Sequence, residues 1–303
     1  MEPEALASLQ PVYGVIFLFK YPTDRPYASA DKPLDGEFDH AAAERLFFAA
    51  QTIQNACGTQ ALLSVLLNKA SDPGDNSGGG DGGIDIGDRL REFREFTMVL
   101  PPEFRGEALS NSELIRGVHN SFARSSPFAD ETQRGPDAET EDAFHFVAYA
   151  PIGGTLYELD GLQPAPISHG PCADADFPAR VVDVLQRRVA RYDLAEIRFN
   201  LMAMCRDLRV SARQAGDAET LAREDRKRRD WQFENALRRH NFVGFAGAVL
   251  KAVVASKLAE GGGDGGDGAY GKWVEEAKAR TRHRIETRKK GSGGGDEDIE
   301  MGG

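Results

Sequence analysis

Cys57 stands in the string Gln51-Thr52-Ile53-Gln54-Asn55-Ala56-Cys57-Gly58-Thr59-Gln60-Ala61, and the chain then runs into Leu62-Leu63-Ser64-Val65-Leu66-Leu67-Asn68. This pattern puts a thiol at the start of a helix. Asn55 is a good N-cap, which predicts Cys57 in the first helical turn, where unpaired N–H groups and the positive dipole end favour thiolate over thiol. The same N–H groups can receive an oxyanion. A cysteine on an apolar helix is ordinarily a small core residue, so the motif needs a base and an orienting acid to become chemistry.

Both occur downstream, in Phe144-His145-Phe146-Val147-Ala148-Tyr149-Ala150-Pro151-Ile152-Gly153-Gly154-Thr155-Leu156-Tyr157-Glu158-Leu159-Asp160-Gly161. Two runs of aromatic and β-branched residues flank Gly153-Gly154, the pair that a two-residue hairpin turn prefers. That turn sets Val147 opposite Asp160 and His145 opposite Leu162. With a side-chain period of two, His145 and Asp160 then share a face on neighbouring strands, diagonal to each other. A Cys opening a helix, followed by a His on a later strand and an Asp that fixes its ring, is the papain-like arrangement for thiol catalysis.

The elements that must position these groups are legible in outline. Val12 to Phe19 is nearly continuous in apolar residues and predicts a buried strand; Asp39 predicts a cap for a helix over 40–50. Ile86, Leu90, Phe93 and Phe96 recur at helical spacing within 85–98. Ser110-Asn111-Ser112-Glu113 is a capping-box pattern opening a helix with Leu114, Ile115, Val118 and Phe122 inward. Val182, Leu185 and Val189 line one face of a helix within 174–193, and 197–204 predicts a closing strand. His119 is expected in a structural role, because no Cys or acid cluster accompanies it. His169 and Cys172 form a close pair without a helix start or an orienting acid and are set aside as a catalytic pair. Residues 71–83 and 261–268 are Gly/Asp insertions; no Lys-Ser/Thr pair follows the first, and its acids would repel phosphate.

Gln51 six positions before the Cys, the Asn-Ala-Cys-Gly-Thr-Gln-Ala run, the His145 strand and Leu159-Asp160-Gly161 together resemble the ubiquitin C-terminal hydrolases. Val12-Tyr13-Gly14-Val15-Ile16-Phe17-Leu18-Phe19-Lys20, Leu109-Ser110-Asn111-Ser112, His119-Asn120-Ser121-Phe122-Ala123-Arg124 and Glu196-Ile197-Arg198-Phe199-Asn200-Leu201-Met202-Ala203 are similar to the proteasome-associated member of that family. Arg238-Arg239-His240-Asn241-Phe242 resembles its C-terminal extension. The resemblance implies an α+β, papain-like fold with a central antiparallel sheet flanked by helices. It implies a catalytic domain over 1–207, a helical extension for partner binding over 208–290 and an acidic Gly-rich tail over 291–303.

The function implied is cleavage after the C-terminal glycine of ubiquitin. Cys57 is the nucleophile, His145 the general base and acid, Asp160 the group that orients His145, and Gln51 an oxyanion stabiliser. No cofactor or metal is expected, since no Cys/His cluster has ligand spacing. The partners implied are ubiquitin and, through the extension, a proteasomal ubiquitin receptor or a chromatin-remodelling subunit, with no membrane or nucleic-acid partner. The acid-rich segment 125–142 occupies the place of a crossover loop spanning the cleft, a strap that would admit a thin peptide. The resemblance also implies a strand upstream of the stretch that Met1-Glu2-Pro3-Glu4 matches, so the usual first strand is expected to be missing and one sheet edge open. Rival readings are a catalytically impaired ubiquitin-binding scaffold and a general papain-like peptidase.

Composition agrees with this outline. A chain of 303 residues with 41% hydrophobic content supports one domain of fair size plus an appendage. Three cysteines argue against a disulfide framework and for a reducing compartment. No apolar run of 18 residues predicts a membrane span, no secretory signal is indicated, and a cytoplasmic and nuclear location is expected. The net charge of −11 is uneven: residues 1–207 hold 18 Lys and Arg against 32 Asp and Glu, whereas 208–290 hold 19 against 12. An acidic catalytic part suits a substrate with a basic tail. The basic run Arg226-Lys227-Arg228-Arg229 is read as a solvated helix face, with Trp231 and Phe233 docking elsewhere.

Overall fold

Strand β1, Val12–Lys20, is apolar along most of its length because both of its faces are covered. Val15, Phe17 and Phe19 point into one core cluster and Ile16 into another, each side chain almost wholly out of water. Burying a residue of this size contributes about 1.5–3 kcal/mol. The computed structural model describes residues 2–9, 11–21, 32–71, 83–122, 144–193, 196–260 and 269–291. The insertion 72–82, the acidic segment 123–143, the second Gly/Asp insertion at 261–268 and the tail 292–303 lie outside the described residues.

Five further strands complete an antiparallel sheet: β2 (Glu37–Phe38), β3 (Phe144–Ile152), β4 (Thr155–Leu159), β5 (Ile167–Pro171) and β6 (Asn200–Cys205). Their order is β2-β5-β4-β3-β1-β6. The hairpin β3–β4 has the register expected from its turn, with Ala148 opposite Leu159 and Ile152 opposite Thr155. Gly153 and Gly154 both take positive φ, 57° and 79°, the backbone that a primed two-residue turn demands and that glycine reaches without steric cost. At the far side β6 pairs with β1, and among the described residues no strand pairs with its outer edge.

Helix α3 (Cys57–Asn68) packs on one face of the sheet, and α7 (Phe177–Val189) on the other. Ala61 and Val65 of α3 meet the sheet, while Leu63 and Leu67 turn to a third cluster with Phe47, Ala49, Leu109 and Ile115. Because α3 is buried on two sides, its sequence is apolar almost all round. Before it come α1 (Pro3–Ala7) and α2 (His40–Arg45). Asp39 caps α2 by accepting from the Ala42 N–H at 2.9 Å, but that helix ends at Arg45 rather than at residue 50. Residues 46–50 are extended instead, because the Leu46 and Phe48 carbonyls find a partner outside a helix.

That partner is Arg105, on a helix not anticipated from the sequence, α5 (Pro102–Asn111), which follows α4 (Gly87–Met98). Only 2% exposed, Arg105 donates from Nη1 to the carbonyls of Ala43, Leu46 and Phe48, from Nε to Thr97 and from Nη2 to Met98. Burial lowers its pKa from the usual arginine value. Five carbonyls, four of them buried, share one planar cation whose donors are already spread in a fork. Arg105→Met is therefore expected to lower unfolding stability by about 3–5 kcal/mol, because it strands those acceptors away from water. Denaturant titration checks this, and a loss under about 1 kcal/mol would contradict it.

Ser112 caps α6 (Glu113–Ser121), its hydroxyl accepting from the Ile115 N–H at 3.4 Å. Ile115 is buried as expected, but Val118 and Phe122 are 55% and 48% exposed. Their helical spacing marked an apolar stripe whose outer half faces solvent in this structure. Helices α8 (Leu208–Ala215) and α9 (Ala218–Arg239) form a hairpin closed by Gly216. In the basic run of α9, Arg228 pairs with Asp207 at 2.9 Å and with Glu224 at 3.4 Å. Trp231 and Phe233 stay substantially exposed rather than docked, and Lys227 lies 5.0 Å from the Trp231 ring centroid.

The described residues up to Arg239 form one compact unit, and those from His240 onward form a second. In the second, α10 (Val243–Glu260) packs against α11 (Ala269–Gly291). Among the described residues no single helix is long and apolar enough to cross a membrane.

Candidate active site

Cys57 is the first residue of α3. Asn55 does not cap the helix: it lies in a 3-10 turn, Gln54–Ala56, and Ala56 occupies the N-cap position without a side-chain bond. The tight turn does the capping residue's work of delivering the chain into the helix, and Cys57 still meets the free N–H end. Burial opposes ionisation of the thiol. It is outweighed by a hydrogen bond from His145, by the Phe146 and Gly58 backbone N–H groups and by the charge on His145, so the Cys57 pKa falls below the ordinary thiol value.

His145 and Asp160 meet as the hairpin register requires. Asp160 directly follows β4, and its Oδ1 lies 2.8 Å from His145 Nε2 and also accepts from the Leu162 N–H at 3.0 Å. Both side chains are buried. With Nε2 committed to the carboxylate, Nδ1 is the ring nitrogen left for the sulfur. Burial disfavours a charged imidazole, but the bonds to Asp160 and Cys57 and their charges override it and raise the His145 pKa to about 9. The three groups thus favour a thiolate and an imidazolium side by side, the Cys57 pKa being lowered and that of His145 raised.

The imidazole is also held edgewise by two aromatic rings. Phe19, its directly opposed partner on β1, lies at a centroid distance of 5.7 Å, and Tyr21 at 5.8 Å. Burial, then the nearby charge of Asp160, raises the Tyr21 pKa. The period of two in Phe17-Leu18-Phe19-Lys20-Tyr21 sets Phe19 and Tyr21 on one side of the chain, but only the pairing of β1 with β3 brings that side to His145.

Behind Phe19 stands a second buried polar group. Arg188 lies 4.3 Å over the Phe19 ring and donates from Nη1 to Glu158 Oε1 at 2.6 Å and to Tyr149 Oη at 2.7 Å. Glu158 Oε2 lies 3.1 Å from His169 Nε2. Burial would raise the Glu158 pKa, yet the Arg188 charge and the His169 bond bring it down to about 2. His169 therefore belongs to this buttress, and Cys172 is buried with its thiol pKa raised by desolvation. Neither joins the Cys57 cluster, in keeping with their exclusion above. His119 Nδ1 lies 2.8 Å from Thr59 Oγ1, a link between α6 and α3 that gives it the structural role expected.

Gln51 lies half-buried on the extended segment leading to the 3-10 turn, and its backbone N–H donates to the Gly161 carbonyl at 2.8 Å. One bond thereby joins Gln51 to the residue next to Asp160. Among the described residues no group of three or more His, Cys, Asp or Glu side chains is arranged to hold a metal ion.

Residues 1–190 match the family model described as "Ubiquitin carboxyl-terminal hydrolase, family 1", and residues 216–258 match one described as "Ubiquitin carboxyl-terminal hydrolases". The chain is similar to Ubiquitin carboxyl-terminal hydrolase 2 of Schizosaccharomyces pombe, 46% identical over 264 residues that cover 85% of this chain and 82% of that protein. Ubiquitin carboxyl-terminal hydrolase ubh-4 of Caenorhabditis elegans is 35% identical over 266 residues, covering 82% and 76%. Among solved structures, the UCH37 catalytic domain of Trichinella spiralis bound to ubiquitin vinyl methyl ester superposes with a TM-score of 0.52 at 34% identity, covering 68% of this chain and 83% of that one.

Proposed function

The chain belongs to ubiquitin carboxyl-terminal hydrolase family 1 and is a cysteine-type deubiquitinase, and from that premise we propose how its residues divide the reaction. The Cys57 thiolate attacks the carbonyl carbon of ubiquitin's C-terminal glycine. The developing oxyanion is received by Gln51 and the Cys57 backbone N–H, each such donor supplying about 3 kcal/mol. His145 gives its proton to the leaving amine, the C–N bond breaks and a thioester to Cys57 remains. Water then attacks the thioester, its proton passes to His145, and ubiquitin leaves with a free carboxylate. Asp160 holds the ring so that Nδ1 faces sulfur throughout.

The observation that carries this reading is the 2.8 Å bond between His145 and Asp160, with the Cys57 sulfur hydrogen-bonded to the same ring at a helix start. Ubiquitin vinyl methyl ester, which occupies the Trichinella relative, tests it directly. The thiolate adds to the vinyl group, forming a carbon–sulfur bond that survives peptide mapping. The native chain is expected to gain one ubiquitin, attached at Cys57. No adduct, or an adduct at Cys172 or Cys205, overturns the assignment.

The same reading places the enzyme at the proteasome, in the cytoplasm and nucleus, with residues 208–290 recruiting a proteasomal ubiquitin receptor or a chromatin-remodelling subunit. The partner-binding part of this proposal is supported by the second family match at 216–258 and by the character of α10, where Phe245, Leu250 and Leu258 are each more than half exposed. Apolar side chains in such number on one helix favour a partner surface over water.

A further inference from the structure

Gln60 is a polar residue in the wall of the core. It lies one helical turn beyond Cys57 on α3, is 6% exposed, and is not among the groups given a role above. Its side-chain Nε2 donates to the Ala49 carbonyl, two residues before Gln51. Gly161, the residue after Asp160, presses on the same amide: a Cβ there would overlap Gln60 Nε2 and come 2.9 Å from both Gln60 Cδ and Ala49 O. The Gly161 carbonyl in turn accepts from Gln51 N–H at 2.8 Å. Three chain segments therefore converge on one carboxamide: the helix of Cys57, the extended segment of Gln51 and the turn of Asp160.

We propose that Gln60 is a positioning residue for ubiquitin hydrolysis, its amide setting the register of the nucleophile's helix against the segments that carry Gln51 and Asp160. The inference rests on the roles assigned above to Cys57, Gln51 and Asp160. The neighbouring backbone leaves little slack. Ala50 N–H donates to Pro102 O at 2.9 Å, so the extended segment from Ala49 to Gln51 is held at three successive residues: by α3, by α5 and by the Asp160 turn. Removing the amide frees the first of these. Because Gln60 is buried it cannot touch ubiquitin, and its loss should alter the geometry of attack without altering substrate binding. Displacements of about 1 Å at a reacting centre cost on the order of 100-fold in rate.

The test uses the full chain and a fluorogenic amide of ubiquitin, with active enzyme counted by ubiquitin vinyl methyl ester. Gln60→Met keeps the volume and removes the donor; it is expected to lower kcat about 10- to 100-fold while KM stays within about threefold. Gly161→Ala, which pushes a methyl group at the amide, is expected to do the same. A double variant, Gln60→Ala with Gly161→Ala, should be no slower than Gly161→Ala alone, because the methyl group no longer meets the amide. A purely structural Gln60 would instead lower the melting temperature and leave kcat per titrated site within about twofold of native. That result, with Cys57→Ala inactive in the same assay, overturns the inference and spares the site beneath it. An active Cys57→Ala overturns both.

Discussion

Cys57→Ala is expected to abolish hydrolysis of ubiquitin amides, a loss on the order of 10⁶-fold, while leaving ubiquitin affinity within about threefold of native. The loss is total in kind, because the covalent route needs a sulfur nucleophile and no other thiol can take its place. Cys172 lies buried among the residues behind the sheet, and Cys205 lies on β6, two strands away from His145. The small volume removed at a residue already 8% exposed leaves the fold intact. Binding and chemistry are thereby separated: single-turnover kinetics give the rate, and titration with unmodified ubiquitin gives the affinity. Retention of more than about 1% of native turnover in metal-free, protease-free preparations would remove Cys57 from the mechanism.

The second large effect is in pH dependence and in His145→Ala. The Cys57 pKa is lowered and that of His145 is raised to about 9, so the reactive ion pair exists in the window between them. As pH falls through the Cys57 value, the thiolate is lost; as pH rises through about 9, the proton meant for the leaving amine is lost. A bell-shaped kcat/KM follows, with its alkaline limb near pH 9, and the two limbs belong to the pair rather than to either residue. Stability responds with opposite signs. The stabilisation from His145 is fully present below its unfolded value of 6.5 and is lost as pH rises through about 9. That from Cys57 is present above its unfolded value and is lost as pH falls through the folded one.

In His145→Ala the thiol loses its largest charge-favouring partner. Hydrolysis is expected to fall by roughly 10³- to 10⁴-fold, and alkylation of Cys57 by iodoacetamide at pH 6.5 by at least about tenfold, since an ordinary thiol is about 1% ionised two units below its pKa. Peptide mapping of the alkylated chain assigns the reaction to Cys57. Equal alkylation rates in native and variant chains would mean that the helix end alone makes the thiolate, and His145 would then be only the acid for the leaving group.

The site was legible in the sequence wherever its geometry depends on near neighbours. Gly153-Gly154 and a side-chain period of two determine the β3–β4 register, and with it the meeting of His145 and Asp160, because a hairpin's hydrogen bonds connect residues a few positions apart. The apolar run of α3 and its abrupt polar start likewise determine that Cys57 opens a helix. Packing across the chain decided the rest. Arg105 draws its acceptors from residues 57 to 62 positions away as well as from nearby Thr97 and Met98, and those bonds, not local propensity, end α2 early and extend 46–50. Gln60 reads as an ordinary helix former until Ala49 and Gly161 arrive at its amide from separate segments. A buried polar group has to find its partner in space, and the sequence carries no period that announces which distant carbonyl that will be.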